Sequence, residues 1–249
     1  MSWGEDVAVR FDRVSKWIGA TRILEDVSFE VPRGTAFSIL GRRGAGKTVA
    51  LKLSIGLLKP DEGRIFVNND DIAELDHSAL LKVRKSIGFV FQQAAVFDSI
   101  SVAENIAFPL RCSSKKTGGE LHERVYQQLR KVGLEHDIDR MPDDLSVGMR
   151  KLLGFARALS CDPAILLLDD PWNGLDSVTV DLIRDRLLSL KQRRGATLLI
   201  AANKMTDVQS MADQLAVLDG GRMIACGSPN EVARSDHPLV RQFVLQQDF

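Results

Sequence analysis

AFSILGRRGAGKTVALKL, from Ala36 to Leu53, is the stretch on which the reading of this chain turns. Its first five residues are a short apolar run of strand character, and its last five have the composition of a helix, expected to continue through Leu58 to a stop at Lys59-Pro60. Between them GRRGAGKT (Gly41 to Thr48) matches the spacing of a phosphate-binding loop. The physical basis is specific. Glycines let successive backbone N–H groups wrap an anion at a helix N-terminus, where the peptide dipoles favour negative charge. Lys47 is then placed to reach the outer phosphates and Thr48 to ligate a divalent cation. The candidate phosphate-contacting set is Gly41, Arg42, Arg43, Gly44, Ala45, Gly46, Lys47, Thr48 and Val49. The bland alternative is a glycine-rich turn that matches by chance, with Arg42 and Arg43 simply solvated.

Working outward, apolar strand-like runs alternate with helical ones, which predicts an α/β fold with a mainly parallel sheet. VAVRF (Val7 to Phe11), VSFEV (Val27 to Val31), RIFV (Arg64 to Val67) and IGFVFQ (Ile87 to Gln92) read as strands. The strand pattern lapses from about Ala94 to Ser160, where a mostly helical insert is expected, with Ser113 to Gly119 as a loop within it. It resumes with AILLLD (Ala164 to Asp169) and ATLLIAA (Ala196 to Ala202), and LAVLD-GG-RMIA predicts a hairpin across Gly220-Gly221. Ser228-Pro229-Asn230-Glu231 is a capping box that opens a short helix. The organisation is one domain: residues 1–93 and 161–227 as the core, 94–160 as the helical part and 228–249 as a helical tail. ILLLD (Ile165 to Asp169) supplies the second half of a nucleotide site, a buried strand ending in a carboxylate that holds Mg²⁺ through water. Alone, an apolar strand ending in Asp is commonplace; after a phosphate loop and a helical insert it favours nucleotide binding.

A chain of 249 residues is long enough to bury one α/β core. Its 33 basic and 33 acidic residues cancel, so no net field draws it to nucleic acid, which is not expected as a partner. Cys112, Cys161 and Cys226 lack metal-ligand spacing and read as reduced thiols. No apolar run approaches the ~20 residues of a membrane span, and the N-terminus lacks the layout of a signal peptide. A soluble chain is expected, with any membrane role exercised through a partner.

In chain order come GRRGAGKT, VFQQAAVF, LSVGMRK, ILLLDDP and NGLD. In this sequence of motifs the chain resembles the ATP-binding cassette family over nearly all its length. The resemblance implies a P-loop NTPase (RecA-like) core with an antiparallel β subdomain and an inserted α-helical subdomain. It also implies ATP and Mg²⁺ as cofactors and ATPase activity in a dimer. Carried over residue by residue, Gln92 resembles the glutamine that touches Mg²⁺ and senses the transporter. Ser146, Val147, Gly148 and Met149 resemble the signature offered in trans to the γ-phosphate on the opposite subunit. Gly174, Leu175 and Asp176 resemble the loop joining the two sites, Asp170 stands at the general base, and Asn203 at the switch histidine. With Lys47, the residues Asp170, Asn203 and Gln92 form the catalytic set, and Thr48, Gln92 and Asp169 (through water) the metal set.

Three positions depart from the family pattern. Asp170 replaces the usual Glu and is one methylene shorter, a displacement of ~1 Å that can slow a reaction about a hundredfold. Asn203 replaces His; it can donate a neutral hydrogen bond but cannot become cationic. Val147 replaces a signature glycine and keeps its N–H. The adenine-stacking aromatic has two readings: Trp17 lies one position before the expected place, held by Ile18, and either stacks or is a surface aromatic. A slow homodimeric ATPase is favoured, with an asymmetric heterodimer as the alternative.

TVALKLSIGLLKPDEG, VFQQAAVFDSISVAENIAFPLR, GLDSVT, Met149 and the tail SDHPLVRQF further resemble the ATPases of Mla and Mce lipid-transport systems. That resemblance implies an integral membrane permease, an Mce-domain protein and a STAS-type subunit as partners, at the cytoplasmic face of the inner membrane. The rival readings are the ATPase of an amino-acid or ion importer, a regulatory cassette with little turnover, and a cassette acting in translation or DNA repair. Those last usually carry two cassettes or a long coiled-coil insert, and neither is present.

Overall fold

The computed structural model describes residues 6–113 and 118–245. Two sheets pack together. The first is antiparallel: β1 (Val7–Ile18), β2 (Thr21–Pro32), β4 (Glu62–Val67) and β5 (Asp70–Asp71) lie in the order β2-β1-β4-β5. Alternation explains its one-sided burial, since Val9 and Phe11 of β1 and Val27, Phe29 and Val31 of β2 all face inward. Both strands outrun their apolar cores. β1 continues to Ile18 because Trp17 and Ile18 pair with Arg22 and Thr21 across the two-residue turn Gly19-Ala20.

The second sheet contains β3 (Ala36–Gly41), β6 (Ile87–Val90), β7 (Ile165–Asp169), β8 (Thr197–Ala202), β9 (Gln214–Asp219) and β10 (Arg222–Gly227), in the order β10-β9-β3-β8-β7-β6. Its pairings are parallel except for the β9–β10 hairpin, whose Gly220 and Gly221 both have positive φ, 52° and 80°, as a primed turn needs. Every residue of β3, β7 and β8 is buried, the mark of strands covered on both faces. Phe29 bridges the sheets, stacking on Phe11 at 4.5 Å and on Phe37 of β3 at 5.1 Å.

Helix α1 (Lys47–Ser54) follows the glycine loop. It stops four residues short of the expected Leu58, because Gly56 turns left-handed (φ 66°). The Gly56 N–H then donates to Leu53 O and the Leu57 N–H to Lys52 O, which closes the helix end. Helix α2 (His77–Lys85), capped by Asp76, precedes β6; β6 itself ends at Val90, so Phe91 and Gln92 lie beyond the sheet.

Between β6 and β7 lie α3 (Val102–Ser113), α4 (Gly119–Arg130) and α5 (Val147–Leu159). Of the loop read over Ser113 to Gly119, Ser113 ends α3, Gly119 begins α4, and residues 114–117 lie outside the described residues. The three helices share a core that includes Val102, Ile106, Leu129, Leu134 and Leu153. Asn105, fully buried on α3, accepts from the Phe97 N–H at 2.8 Å and donates to the carbonyls of Phe97, Ile100 and Ser101. Gly154 of α5 lies against the strand-to-helix segment so closely that a Cβ would sit 2.6 Å from the Ala94 carbonyl oxygen.

Helix α6 (Ser177–Arg194) ends at left-handed Gly195, α7 (Pro229–Ala233) carries the Ser228–Glu231 capping box, and α8 (Pro238–Val244) buries Val240 and Phe243 in the core cluster below the parallel sheet.

Candidate functional site

The site forms where β3 and β7 deliver their last residues at the same edge of the parallel sheet. The loop after β3 turns through Gly44 (φ 82°) and Gly46 (φ 103°). At Gly46 two demands coincide: the left-handed backbone, and β2 overhead, where a Cβ would meet Leu24 Cδ2 at 2.5 Å and the Ile23 carbonyl oxygen at 2.9 Å. Only glycine satisfies both. Lys47 is buried, with its ammonium donating to Gly41 O at 2.7 Å and Arg42 O at 2.9 Å. Burial lowers its pKa to about 8 against the charges of Asp170 and Asp169, with Arg43 lowering it further. Arg42 and Arg43 are exposed, and Arg42 donates to Gln242 of α8 at 3.0 Å. Ala45 is buried and Val49 half-buried.

Thr48 Oγ1 donates to Asp169 Oδ1 at 2.9 Å. Burial holds the Asp169 carboxyl above the usual range and the Asp170 charge adds to this, while the Thr48 bond opposes it. A hydroxyl and a carboxylate oxygen in contact fit Mg²⁺, a hard cation that takes few protein ligands and completes its shell with phosphate and water. The Lys47 ammonium and the glycine-lined helix N-terminus fit the triphosphate.

Asp170 adopts φ 44°, unusual for a residue with a Cβ, while its N–H donates to Ala201 O at 2.9 Å. Its Oδ2 accepts from Asn203 Nδ2 at 2.8 Å and, at 3.4 Å, from Gln92 Nε2. Asp170, Asn203 and Gln92, more than 30 residues apart from one another in sequence (78 and 33 from Asp170), thus meet at one carboxylate oxygen.

Two further groups feel that carboxylate and were absent from the sequence reading. Lys151, buried on α5, donates to the Asn173 carbonyl; burial lowers its pKa and the Asp170 charge opposes this. Burial raises the Asp207 pKa and the Asp170 charge raises it further. Lys151 closes the LSVGMRK stretch but was given no role there, its signal being a lysine on the apolar side of a helix, and Asp207 belongs to no motif.

Ser146 N-caps α5, its Oγ accepting from the Met149 N–H at 3.2 Å, and Val147 beside it is 70% exposed. A Cβ on Gly148 would meet nothing closer than 3.9 Å, leaving that helix start sterically open. Gly174 is left-handed, and Asp176 caps α6 through the Thr179 N–H at 2.9 Å and hydroxyl at 2.7 Å; Leu175 is half-buried. The signature and loop segments do not touch the chain's own Thr48–Asp169 pair through any hydrogen bond among the described residues. Trp17 is half-buried with the Arg22 guanidinium 5.9 Å from its ring centre, while Ile18 is exposed.

The family model for ABC transporters matches residues 24–173. The probable ribonucleotide transport ATP-binding protein mkl of Mycobacterium leprae is 37% identical over 96% of this chain and 69% of its own length. A methionine import ATP-binding protein, MetN of Rhodopseudomonas palustris, is 38% identical over 89% of the chain and 60% of its own length. The chain thus spans about two thirds of these longer relatives. Among solved structures, the ATP-binding cassette MJ0796, in a dimeric post-hydrolysis state bound to ADP and Pi, superposes with a TM-score of 0.84. It is 29% identical, with 88% of this chain and 98% of that one covered. The cbiO1 subunit from Clostridium perfringens, part of the ABC transporter complex cbiONQ, gives 0.80 at 31% identity over 97% and 96%. This chain belongs to the ATP-binding cassette transporter family. It is an ABC ATPase that binds ATP with Mg²⁺ and couples hydrolysis to transport.

Proposed function

We propose that the chain drives a phospholipid transporter of the Mla/Mce type, as a homodimer seated on a membrane permease at the cytoplasmic face of the inner membrane, and that its hydrolysis is slow. Among the described residues no helix is long and apolar enough to cross a membrane, and the coupling surface of this reading lies on the folded domain. One observation carries the transport reading. Phe97 and Phe108 stand 44% and 50% exposed, ring against ring edge-on at 5.3 Å, with the Arg157 guanidinium 5.0 Å over Phe97. Two neighbouring exposed aromatics just beyond Gln92 suit a short amphipathic permease helix. The lipid assignment rests on the resemblance of VFQQAAVFDSISVAENIAFPLR and SDHPLVRQF to the Mla and Mce ATPases, with Mce-domain and STAS-type subunits as further partners.

Bound MgATP supplies the phosphoanhydride that hydrolysis breaks. Lys47 and the Gly41–Thr48 backbone would hold its phosphates, and Thr48, with Asp169 through water, would hold the Mg²⁺, which would neutralise charge on the phosphate oxygens. Asp170 accepts the proton of the attacking water, while Gln92 and Asn203 fix its carboxylate. Ser146 and Gly148 complete the partner subunit's site, Gly174 to Asp176 join the two, and Trp17 is the adenine platform. Slowness is supported by the short Asp170 side chain, which is already engaged by Asn203.

The MetN relatives favour a second reading, an amino-acid importer. Reconstituting the purified complex with labelled phospholipid separates the two. ATP-dependent lipid movement that Lys47→Ala removes supports the proposal; uptake of methionine or a ribonucleotide without lipid movement sinks it.

A further inference from the structure

Helix α5 carries a cation on its buried side. Lys151 is 8% exposed and shares a face with Gly154 and Phe155, three and four residues on, both of them buried. A lysine that merely packs lays its stem on apolar surface and keeps its ammonium in water. This one turns the ammonium inward, where it donates to the Asn173 carbonyl. A buried charge is costly, and leucine or methionine would fill the same space without that cost. The acceptor it reaches belongs to the segment that carries Asp170. The Asn173 N–H donates to Asp170 O at 3.4 Å and the Leu175 N–H to Trp172 O at 3.2 Å, so two successive tight turns run from Asp170 to Leu175. The same segment meets α5 again at its start, where a Cβ on Gly148 would lie 3.9 Å from Leu175 Cδ2. Gly148 and Lys151 are three residues apart and therefore neighbours on the helix surface.

We propose that Lys151 is a positioning residue, tying the Asp170 segment to the signature helix of its own chain. Ser146 caps that helix roughly one and a half turns away. The group offered to the partner's nucleotide and the group holding Asn173 therefore sit on one rigid piece. Engagement of Ser146 and Gly148 across the dimer then bears on the chain's own Asp170 through Lys151 and Asn173. The link rests on the roles proposed for Asp170, Ser146 and Gly148, and it runs inside one chain.

Steady-state ATPase kinetics of the assembled complex compare the parent with three variants. Lys151→Met keeps the length and the apolar fit but removes the donor, Lys151→Arg keeps a cationic donor, and Asp170→Asn removes the base. In Lys151→Met, kcat is expected to fall about tenfold or more, the scale of a lost hydrogen bond to a charged group. KM for ATP and the MgATP affinity of the purified chain should stay within about twofold, since the phosphate loop is untouched. Lys151→Arg should recover most of kcat. The relay is read separately from the emission of Trp172, which is 5% exposed in the same segment, isolated by comparison with Trp172→Phe. It should shift on ATP-driven dimerisation under non-hydrolysing conditions in the parent and not in Lys151→Met. If Lys151→Met fails to bind MgATP, Lys151→Gln, neutral and shorter, is read in its place. Full turnover in Lys151→Met beside an inactive Asp170→Asn overturns this proposal alone, whereas full turnover in Asp170→Asn overturns the base reading and this proposal with it. A loss shared equally by Lys151→Arg, or a rise in KM with kcat unchanged, would assign Lys151 to packing or to nucleotide binding and also overturn it. So would a Trp172 emission that shifts alike in parent and Lys151→Met, or in neither.

Discussion

At the residue scale, the shared Oδ2 of Asp170 links turnover to a single methylene. Asp170→Glu extends the carboxylate toward the water position, and ATPase activity of the assembled complex is expected to rise by about tenfold or more, within the range that ~1 Å of placement commands. A fall would show that the left-handed Asp170 backbone and its Asn203 bond form a site built for Asp, which would refute the short-base account. Lys47 gives a pH test. Its pKa near 8 means that, without nucleotide, its charge is complete below pH 8 and is lost as pH rises through that value. Phosphates restore the charged form, so MgATP binding near pH 8 should take up about half a proton, and affinity should fall above it. Calorimetry in buffers of different ionisation enthalpy measures this; proton release on binding contradicts it. Both residues stand in motifs that any reader of the sequence meets. Asp170's positive φ and its convergence with Gln92 and Asn203 have no local signal, because they depend on where three loops end.

At the element scale, the parallel strands were legible because burial on both faces makes each an unbroken apolar run, as in ILLLD and TLLIAA. The hairpin glycines and the Ser228 box were legible for a similar local reason. α2 was not: with Val83 as its buried residue it shows little periodicity. Nor was the early end of α1, where an apolar Leu57-Leu58 prolongs the pattern after Gly56 has turned the chain. Helix placement yields two predictions. Gly154→Ala forces α5 away from the Ala94 carbonyl, an overpacking cost of about 1–3 kcal/mol, and should lower Tm by roughly 2–10 °C; an unchanged Tm would mean that α5 shifts without penalty. Ser146→Arg at the open start of α5 should impair ATP-driven dimerisation more than nucleotide binding. Sedimentation under non-hydrolysing conditions decides this, and equal dimer formation by variant and parent would count against a site shared between subunits.

At the scale of the whole molecule, the phosphate loop and the aromatic pair lie on different parts of the fold, joined through Gln92 and the segment that follows it. Phe97→Asp should reduce permease association while leaving MgATP affinity within about twofold; parallel loss of both would place Phe97 in the fold of the site instead. The buried Asn105 amide gives this arrangement a mechanical consequence. By gripping both the amide and the carbonyl of Phe97, and the two carbonyls at the head of α3, it removes the slack that a connecting loop would otherwise have. Displacement of the helical part then reaches the aromatic pair as a push rather than being absorbed on the way. Asn105→Ala should make that linkage compliant, so that the complex keeps hydrolysing ATP while moving less cargo per turnover, like a gear turning with backlash.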